Sequence, residues 1–183
     1  MQVTGTAIDG VLLLSSVRHE DERGYFLESF RLSALEAAGV RAAFVQDNES
    51  CSRTRGTLRG LHFQLPPRAQ GKLVRVVRGA VLDVAVDLRR ASATFGQHVA
   101  VELSAEAANQ LWVPPGFAHG VCTLVPETII AYKVTDYWSP EHERTLRFDD
   151  PALGIAWPFP ADSLLLNARD KLAPALAELD AYF

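Results

Sequence analysis

Hydrophobic and polar residues alternate through most of this chain in short runs, and glycine or proline closes nearly every run. Alternation at period two puts every second side chain on one face of an extended strand. On that basis strands are predicted over 8–17, 25–30, 57–64, 72–77, 81–87, 97–103, 110–113, 120–125 and 129–135, with 44–48 extended. Turn chemistry agrees with the breaks. Asp21-Glu22-Arg23-Gly24 separates the first two strands, and Arg78-Gly79-Ala80 is a hairpin candidate. Ser33-Ala34-Leu35-Glu36 reads as a capping box with Gly39 as the stop, which predicts a short helix over 33–38. Beyond Trp138 the alternation fades. The tail is proline-rich as far as Pro160, and 174–179 reads as a closing helix with proline in its first turn. Many short strands without helices between them predict an all-β sandwich or barrel, in one domain over 1–183.

One stretch breaks the pattern in an informative way. Between residues 59 and 72 stand Arg59, His62, Gln64, Arg68, Gln70 and Lys72, separated by apolar residues and by the Pro66-Pro67 turn. Read as strand, turn and strand, it places His62 and Gln64 on one face and Leu61 and Phe63 on the face to be buried. Lys72 opens the next strand on the side of Val74 and Val76. A lysine sharing a face with valines either snorkels at a sheet edge or works inside a cavity. Arg59 and His62 are three apart, so a regular strand would face them away from each other. Gly60 permits a bulge that would re-aim one of them; otherwise Arg59 reaches in from the rim.

Composition narrows the class. The 183 residues and 48% hydrophobic content suit one domain with a sizeable core. Charges sum to 18 − 22 = −4, against the basic balance of a nucleic-acid binder, although an anionic small molecule fits if the cations converge locally. Cys51 and Cys122 make no disulfide framework and no Cys-x-x-Cys metal pattern. The apolar run 11–14 follows Asp9 and is too short for a signal-peptide core, and no run approaches the roughly 18 residues of a membrane span. A cytoplasmic protein with neither membrane nor nucleic-acid partner is expected.

Two histidines frame the candidate chemistry. His119 lies in Pro115-Gly116-Phe117-Ala118-His119-Gly120, at the end of a rigid turn. Downstream of the His62 strand, this arrangement resembles the second half of the cupin pattern, a small jelly-roll β-barrel. Metal-binding cupins carry His-x-His and then a glutamate in the first half; this chain has His62-Phe63-Gln64 and then Gln70-Gly71-Lys72. Transition metals want three or four N, O or S ligands, so two histidines beside an ammonium argue against a metal site. His62, Lys72, Tyr132 and an acid suit proton chemistry instead. A neutral imidazole is a competent base near pH 7. An ammonium aimed at a carbonyl oxygen stabilises an enolate, and a phenol can return a proton to the other face. Each residue taken alone also reads as a satisfied core histidine, a surface lysine or a half-buried tyrosine.

Seen together, the motifs are more specific. Asp21–Glu28, Gln46-Asp47-Asn48-Glu49-Ser50, Leu58–Gln64, Ala69–Val76, Asp83–Arg89, Thr94-Phe95-Gly96, Gly116–Gly120, Tyr132-Lys133, Tyr137–Glu143 and Trp157-Pro158 resemble dTDP-4-dehydrorhamnose 3,5-epimerases, in order and over nearly the whole chain. The resemblance implies a mainly β, cupin-like jelly-roll barrel with a few short helices, acting as a homodimeric isomerase without cofactor or metal. Its implied substrate is a dTDP-4-keto-6-deoxyhexose, dTDP-4-dehydro-6-deoxy-D-glucose, inverted at C3 and C5 on the route to dTDP-L-rhamnose. His62 would be the base, Asp170 its carboxylate partner, Lys72 the enolate stabiliser and Tyr132 the acid on the opposite face. Arg23, Glu28, Gln46, Asn48, Arg59, His119, Glu143 and Arg169 match positions that bind the nucleotide and pyrophosphate or line the sugar pocket. Arg169 stands where the family commonly has lysine, and Val125-Pro126 where it has serine-glutamate. Competing readings are an epimerase of C3 or C5 alone, a metal-dependent cupin oxygenase, and a nucleotide-sugar binding module without catalysis.

Overall fold

The alternating runs become strands of two facing antiparallel sheets in the computed structural model, which describes residues 1–180 and 183. In chain order the strands are β1 (Gln2–Gly5), β2 (Leu12–Ser15), β3 (Arg18–Asp21), β4 (Gly24–Leu27), β5 (Gln46–Ser52), β6 (Leu58–Gln64) and β7 (Lys72–Arg78). They continue as β8 (Ala80–Asp87), β9 (His98–Ser104), β10 (Asn109–Val113), β11 (Phe117–Thr123), β12 (Thr128–Val134) and β13 (Glu143–Thr145). One sheet runs β1-β2-β10-β7-β12-β5, the other β13-β6-β11-β8-β9, and β3-β4 forms a separate hairpin. This is the expected cupin-like jelly roll. Gly79 (φ +85°) makes the β7–β8 turn where the hairpin signal stood.

Residues of one parity fill the space between the sheets. Val74 and Val76 of β7, Leu111 and Val113 of β10 and Ile130 of β12 meet Val81 and Ala85 of β8, Leu103 of β9 and Val121 of β11. The opposite parity of the five-stranded sheet, with Leu61, Phe63, Val84 and Val86, is covered by the tail through Leu146, Leu153 and Leu176. The outer face of the six-stranded sheet receives α1 (Leu32–Ala37), whose Leu35 packs with Leu14, Leu73 and Trp112. Both faces of both sheets are therefore occupied over much of their area, and one end of the inter-sheet space holds polar side chains.

Several boundaries differ from the sequence expectation. The expected first strand, 8–17, shortens to β2, because Gly10 (φ +91°) turns the chain while Ile8 and Val11 sink into the core. β5 extends to Ser52, and β11 starts at Phe117, so His119 lies within a strand. Helix α1 begins at Leu32 with Arg31 as its N-cap and no side-chain cap bond, so the Ser33 capping box does not form. Seating Leu35 in its cluster sets the helix phase, and Gly39 (φ +87°) ends it as expected. The closing helix over 174–179 reduces to a 3-10 turn, Leu176–Glu178, since so short a segment cannot repay helix nucleation. A four-residue helix, α2 (Ala168–Lys171), appears instead, its Asp170 N–H donating to Asn167 Oδ1 at 2.7 Å.

Candidate active site

The polar end of the inter-sheet space opens into two adjoining cavities of about 350 and 300 Å³. His62, Lys72, Tyr132 and Glu143 line both. His62 comes from β6 of the five-stranded sheet, whereas Lys72 and Tyr132 open β7 and lie in β12 of the other sheet. The alternation read from the sequence holds in the main: His62 and Gln64 face the cavity, while Leu61 and Phe63 belong to the tail-covered cluster, with Phe63 also touching the cavity.

The Arg59–His62 spacing is resolved by a bulge. His119 on β11 pairs with His62, but two residues further along β11 Val121 pairs with Arg59, so β6 carries one extra residue between them. Gly60 allows it. Its φ is +138°, and a Cβ there would stand 2.9 Å from the His119 carbonyl oxygen, so no side chain fits without moving backbone. Arg59 and His62 consequently line the same cavity. Arg59 Nε donates to Ser52 Oγ at 3.2 Å and Nη2 to the Cys51 carbonyl, which braces the guanidinium against β5.

Behind His62 lies a buried carboxylate. Asp170 Oδ1 is 2.7 Å from His62 Nε2, and its Oδ2 accepts the Gly60 N–H at 3.2 Å. Asp170 is 1% exposed. Burial alone would raise its pKa, but the hydrogen bond and charge of His62, the Gly60 amide and Arg169 outweigh that and hold the carboxyl below its ordinary range. The capped turn of α2 buries Asp170 behind His62 and leaves Arg169 half-exposed on the wall of the smaller cavity.

Lys72 is the most perturbed cation of the site. Burial pulls its pKa down to about 8, against the opposing pull of the Glu143 and Asp83 charges. Its Nζ donates to the His62 carbonyl at 3.1 Å, which ties the two sheets together at the polar end. Burial, and then the Glu143 charge, push the Tyr132 phenol above its ordinary value, with Arg59 opposing. Glu143 is raised by burial but brought below its ordinary value overall by Arg169, by the Trp138 indole and by the His62 charge. Arg169 grips Glu143 through both terminal nitrogens.

Of the other expected site residues, Gln46 and Asn48 line the larger cavity and His119 and Arg169 the smaller one. Arg23 and Glu28 line neither. Arg23 sits on the β3–β4 hairpin with its side chain 84% exposed and pairs with Asp21, while Glu28 pairs with Arg31. The sequence reading missed Asp83. This aspartate, 0% exposed, lies 2.8 Å from His119 Nε2 through Oδ1, and its Oδ2 has no hydrogen-bond partner among the described residues. Its signal was an acid in the inward row Val81-Asp83-Ala85 of a strand otherwise apolar on that face. Gln64, the counterpart of a metal cupin's second histidine, spends its amide on backbone groups at Arg68, Tyr137 and Ser139. No group of three or more His, Cys, Asp or Glu side chains that could hold a metal ion occurs among the described residues.

Comparison with known proteins gives the family. The family model for dTDP-4-dehydrorhamnose 3,5-epimerase matches residues 5–178. The chain belongs to this family. The epimerase is 50% identical over 183 residues to the dTDP-4-dehydrorhamnose 3,5-epimerase of Sinorhizobium fredii, covering 100% of this chain and 93% of the relative. Its structure matches that of dTDP-6-deoxy-D-glucose-3,5-epimerase from Legionella pneumophila in complex with dTDP-4-keto-L-rhamnose, with a TM-score of 0.93 and 45% identity. That match covers 98% of this chain and 95% of the other. A 3'-monoepimerase from Streptomyces bikiniensis in complex with dTDP-quinovose matches with a TM-score of 0.86 and 36% identity, covering 94% and 86%. The epimerase is thus an isomerase. No helix among its described residues is long and apolar enough to cross a membrane.

Proposed function

We propose that this epimerase converts dTDP-4-dehydro-6-deoxy-D-glucose into dTDP-4-dehydro-L-rhamnose by inverting C3 and C5, each through an enolate. The observation that carries this reading is the placement of His62 on one sheet and of Lys72 and Tyr132 on the facing sheet, around one cavity. With its Nε2–H donating to the Asp170 carboxylate, His62 keeps the Nδ1 lone pair for a proton. Nδ1 takes the C–H proton next to the C4 carbonyl, and the electron pair moves onto the carbonyl oxygen. The Lys72 ammonium stabilises that oxygen where charge develops. Tyr132 delivers a proton to the carbon from the other wall, and the electron pair returns to the ring. The imidazolium then loses its proton to solvent and the phenolate regains one, so each cycle balances without oxidant or reductant. Raised above its ordinary pKa, the phenol stays protonated at neutral pH and is a willing acid only toward a strongly basic carbanion, as an enolate is.

Arg59 and Arg169 supply the cationic wall for the diphosphate, Arg59 through a planar fork suited to two oxygens. Arg169 in place of lysine keeps that charge while also gripping Glu143. Arg23 and Glu28 stand outside both cavities in a single chain, on or beside a projecting hairpin with exposed Tyr25 and Phe26. In the homodimer expected of the family, that hairpin serves the nucleotide end of the partner's site.

The deciding experiment is NMR of the 4-keto nucleotide sugar in deuterated water, run after exhaustive chelation. Deuterium is expected at both C3 and C5 with inversion at each. Exchange at one carbon only would move the enzyme to the single-carbon reading, and loss of all exchange restored by a divalent metal would overturn the metal-free mechanism.

A further inference from the structure

After β12 the chain crosses the mouth of the larger cavity over residues 136–139 without a strand partner. Side-chain amides satisfy its backbone instead. Gln70 Nε2 donates to the Asp136 carbonyl at 2.7 Å, and the Trp138 N–H donates to Gln46 Oε1 at 3.1 Å. Gln64 does most: its Nε2 donates to the Arg68 and Tyr137 carbonyls at 2.6 and 3.2 Å, and its Oε1 accepts the Ser139 N–H at 2.8 Å. Gln64 is 4% exposed, whereas the rings it holds in place, Tyr137 and Trp138, are 56% and 58% exposed. Rings so exposed bury too little apolar surface to offset the conformational entropy of ordering this segment. Amide bonds from the barrel wall therefore fix it.

We propose that Gln64 is a positioning residue for substrate binding, acting through the Tyr137–Ser139 backbone on Trp138. The path has named contacts. Trp138 and Glu143 line the larger cavity together, and Glu143 in turn fixes Arg169 on the wall of the smaller cavity. Both amide hydrogens of Gln64 and one lone pair of its Oε1 are spent on backbone groups, so its main effect passes through the wall it holds. It lies two residues from His62 on the same strand face, yet its bonds go to the backbone of Arg68, Tyr137 and Ser139 and not to Lys72 or Tyr132. Loss of the amide therefore releases the binding wall and leaves the proton-transfer groups in place. This inference rests on the cavities being the nucleotide-sugar site.

Gln64→Met keeps length and apolar volume while removing every donor and acceptor. The expected result is KM raised about 10-fold with kcat within about 3-fold of the parent, since an interaction made equally in ground and transition states changes KM alone. A merely structural role is separated by a double-mutant cycle. In a Trp138→Ala background, Gln64→Met is expected to cost less than about 2-fold further, because the element it acts through is gone. Gln64→Glu, which retains the acceptor for Ser139 N–H, is expected to fall between parent and Met variant, and it serves the test if the Met variant does not fold. Loss confined to kcat, or costs of Gln64→Met and Trp138→Ala that multiply independently, would overturn the proposal. Failure of the functional reading would look different: the parent enzyme would not turn over the nucleotide sugar.

Discussion

Lys72 offers the sharpest test, because its environment makes opposite demands on activity and stability. Its pKa lies at about 8 in the fold, against 10.5 for an ordinary lysine, which corresponds to roughly 3 kcal/mol of disfavoured charge. The folded-state value is depressed. Between pH 8 and 10.5 the unfolded chain thus holds a proton that the folded chain has released, and this group's contribution to stability rises with pH across that window. Lys72→Met should remove the penalty and raise stability near pH 7 by about 1–3 kcal/mol, an advantage that fades above pH 10. Activity should move the other way. An ammonium that meets charge only as it develops is worth about 10²–10³-fold in kcat, so the same variant should be nearly inactive. In the parent enzyme, kcat/KM should bend downward near pH 8 and fall about tenfold per pH unit above it, since this profile reports free-enzyme pKa values. Chemical denaturation and initial rates over pH 6–10.5 test both halves. An alkaline limb near the ordinary lysine value, or a Met variant that is less stable yet keeps its kcat, would refute the reasoning.

Three further outcomes follow from the site. Tyr132→Phe should let deuterium enter the sugar faster than inverted product appears, because His62 and Lys72 still form the enolate and His62 returns the proton on the original face; equal losses of exchange and inversion would remove Tyr132 as the separate acid. Asp170→Asn leaves His62 facing an amide, so the isotope-exchange rate should fall about 10²-fold or more with dTDP affinity nearly unchanged, and calorimetry showing lost affinity would make Asp170 a binding residue. Mixing Arg23→Ala chains with Lys72→Ala chains should restore about a quarter of parental activity, since a mixed dimer holds one intact site when Arg23 acts across the two-fold axis; no recovery would place Arg23 in its own chain's site.

The strand pattern carried most of the barrel, because period two survives wherever one face is buried. It located the inward row of β7 and the His62–Gln64 face, and the Arg59–His62 mismatch pointed to the bulge that β6 and β11 form at Gly60. Local signals failed where tertiary contacts decide. The Ser33 box lost to the seat of Leu35, and the four residues of α2 are too few to show periodicity, although they aim Asp170 at His62. Asp83 was visible as an acid in an apolar row, but nothing local tells a buried partner of His119 from an edge residue. The task of Gln64 was hidden for a similar reason: its three backbone partners are four and more than seventy residues away.

Charge convergence explains how a chain of net charge −4 can bind an anionic nucleotide sugar. Lys72, Arg59 and Arg169 gather around the two cavities, and Glu143, Asp83 and Asp170 stand among them. Leaving the histidines aside, these three cations and three carboxylates balance, so no large repulsive field opposes folding. Yet the carboxylates are already engaged by His62, His119 and Arg169, whereas among the described residues the Lys72 ammonium hydrogen-bonds only a carbonyl. A bound diphosphate adds negative charge to this enclosed space and the enolate adds more, and each favours the ammonium that burial disfavours. The buried lysine is thus strained in the empty enzyme and relieved as the transition state is approached. In the proposed mechanism, that ordering makes its electrostatic effect catalytic instead of merely adhesive.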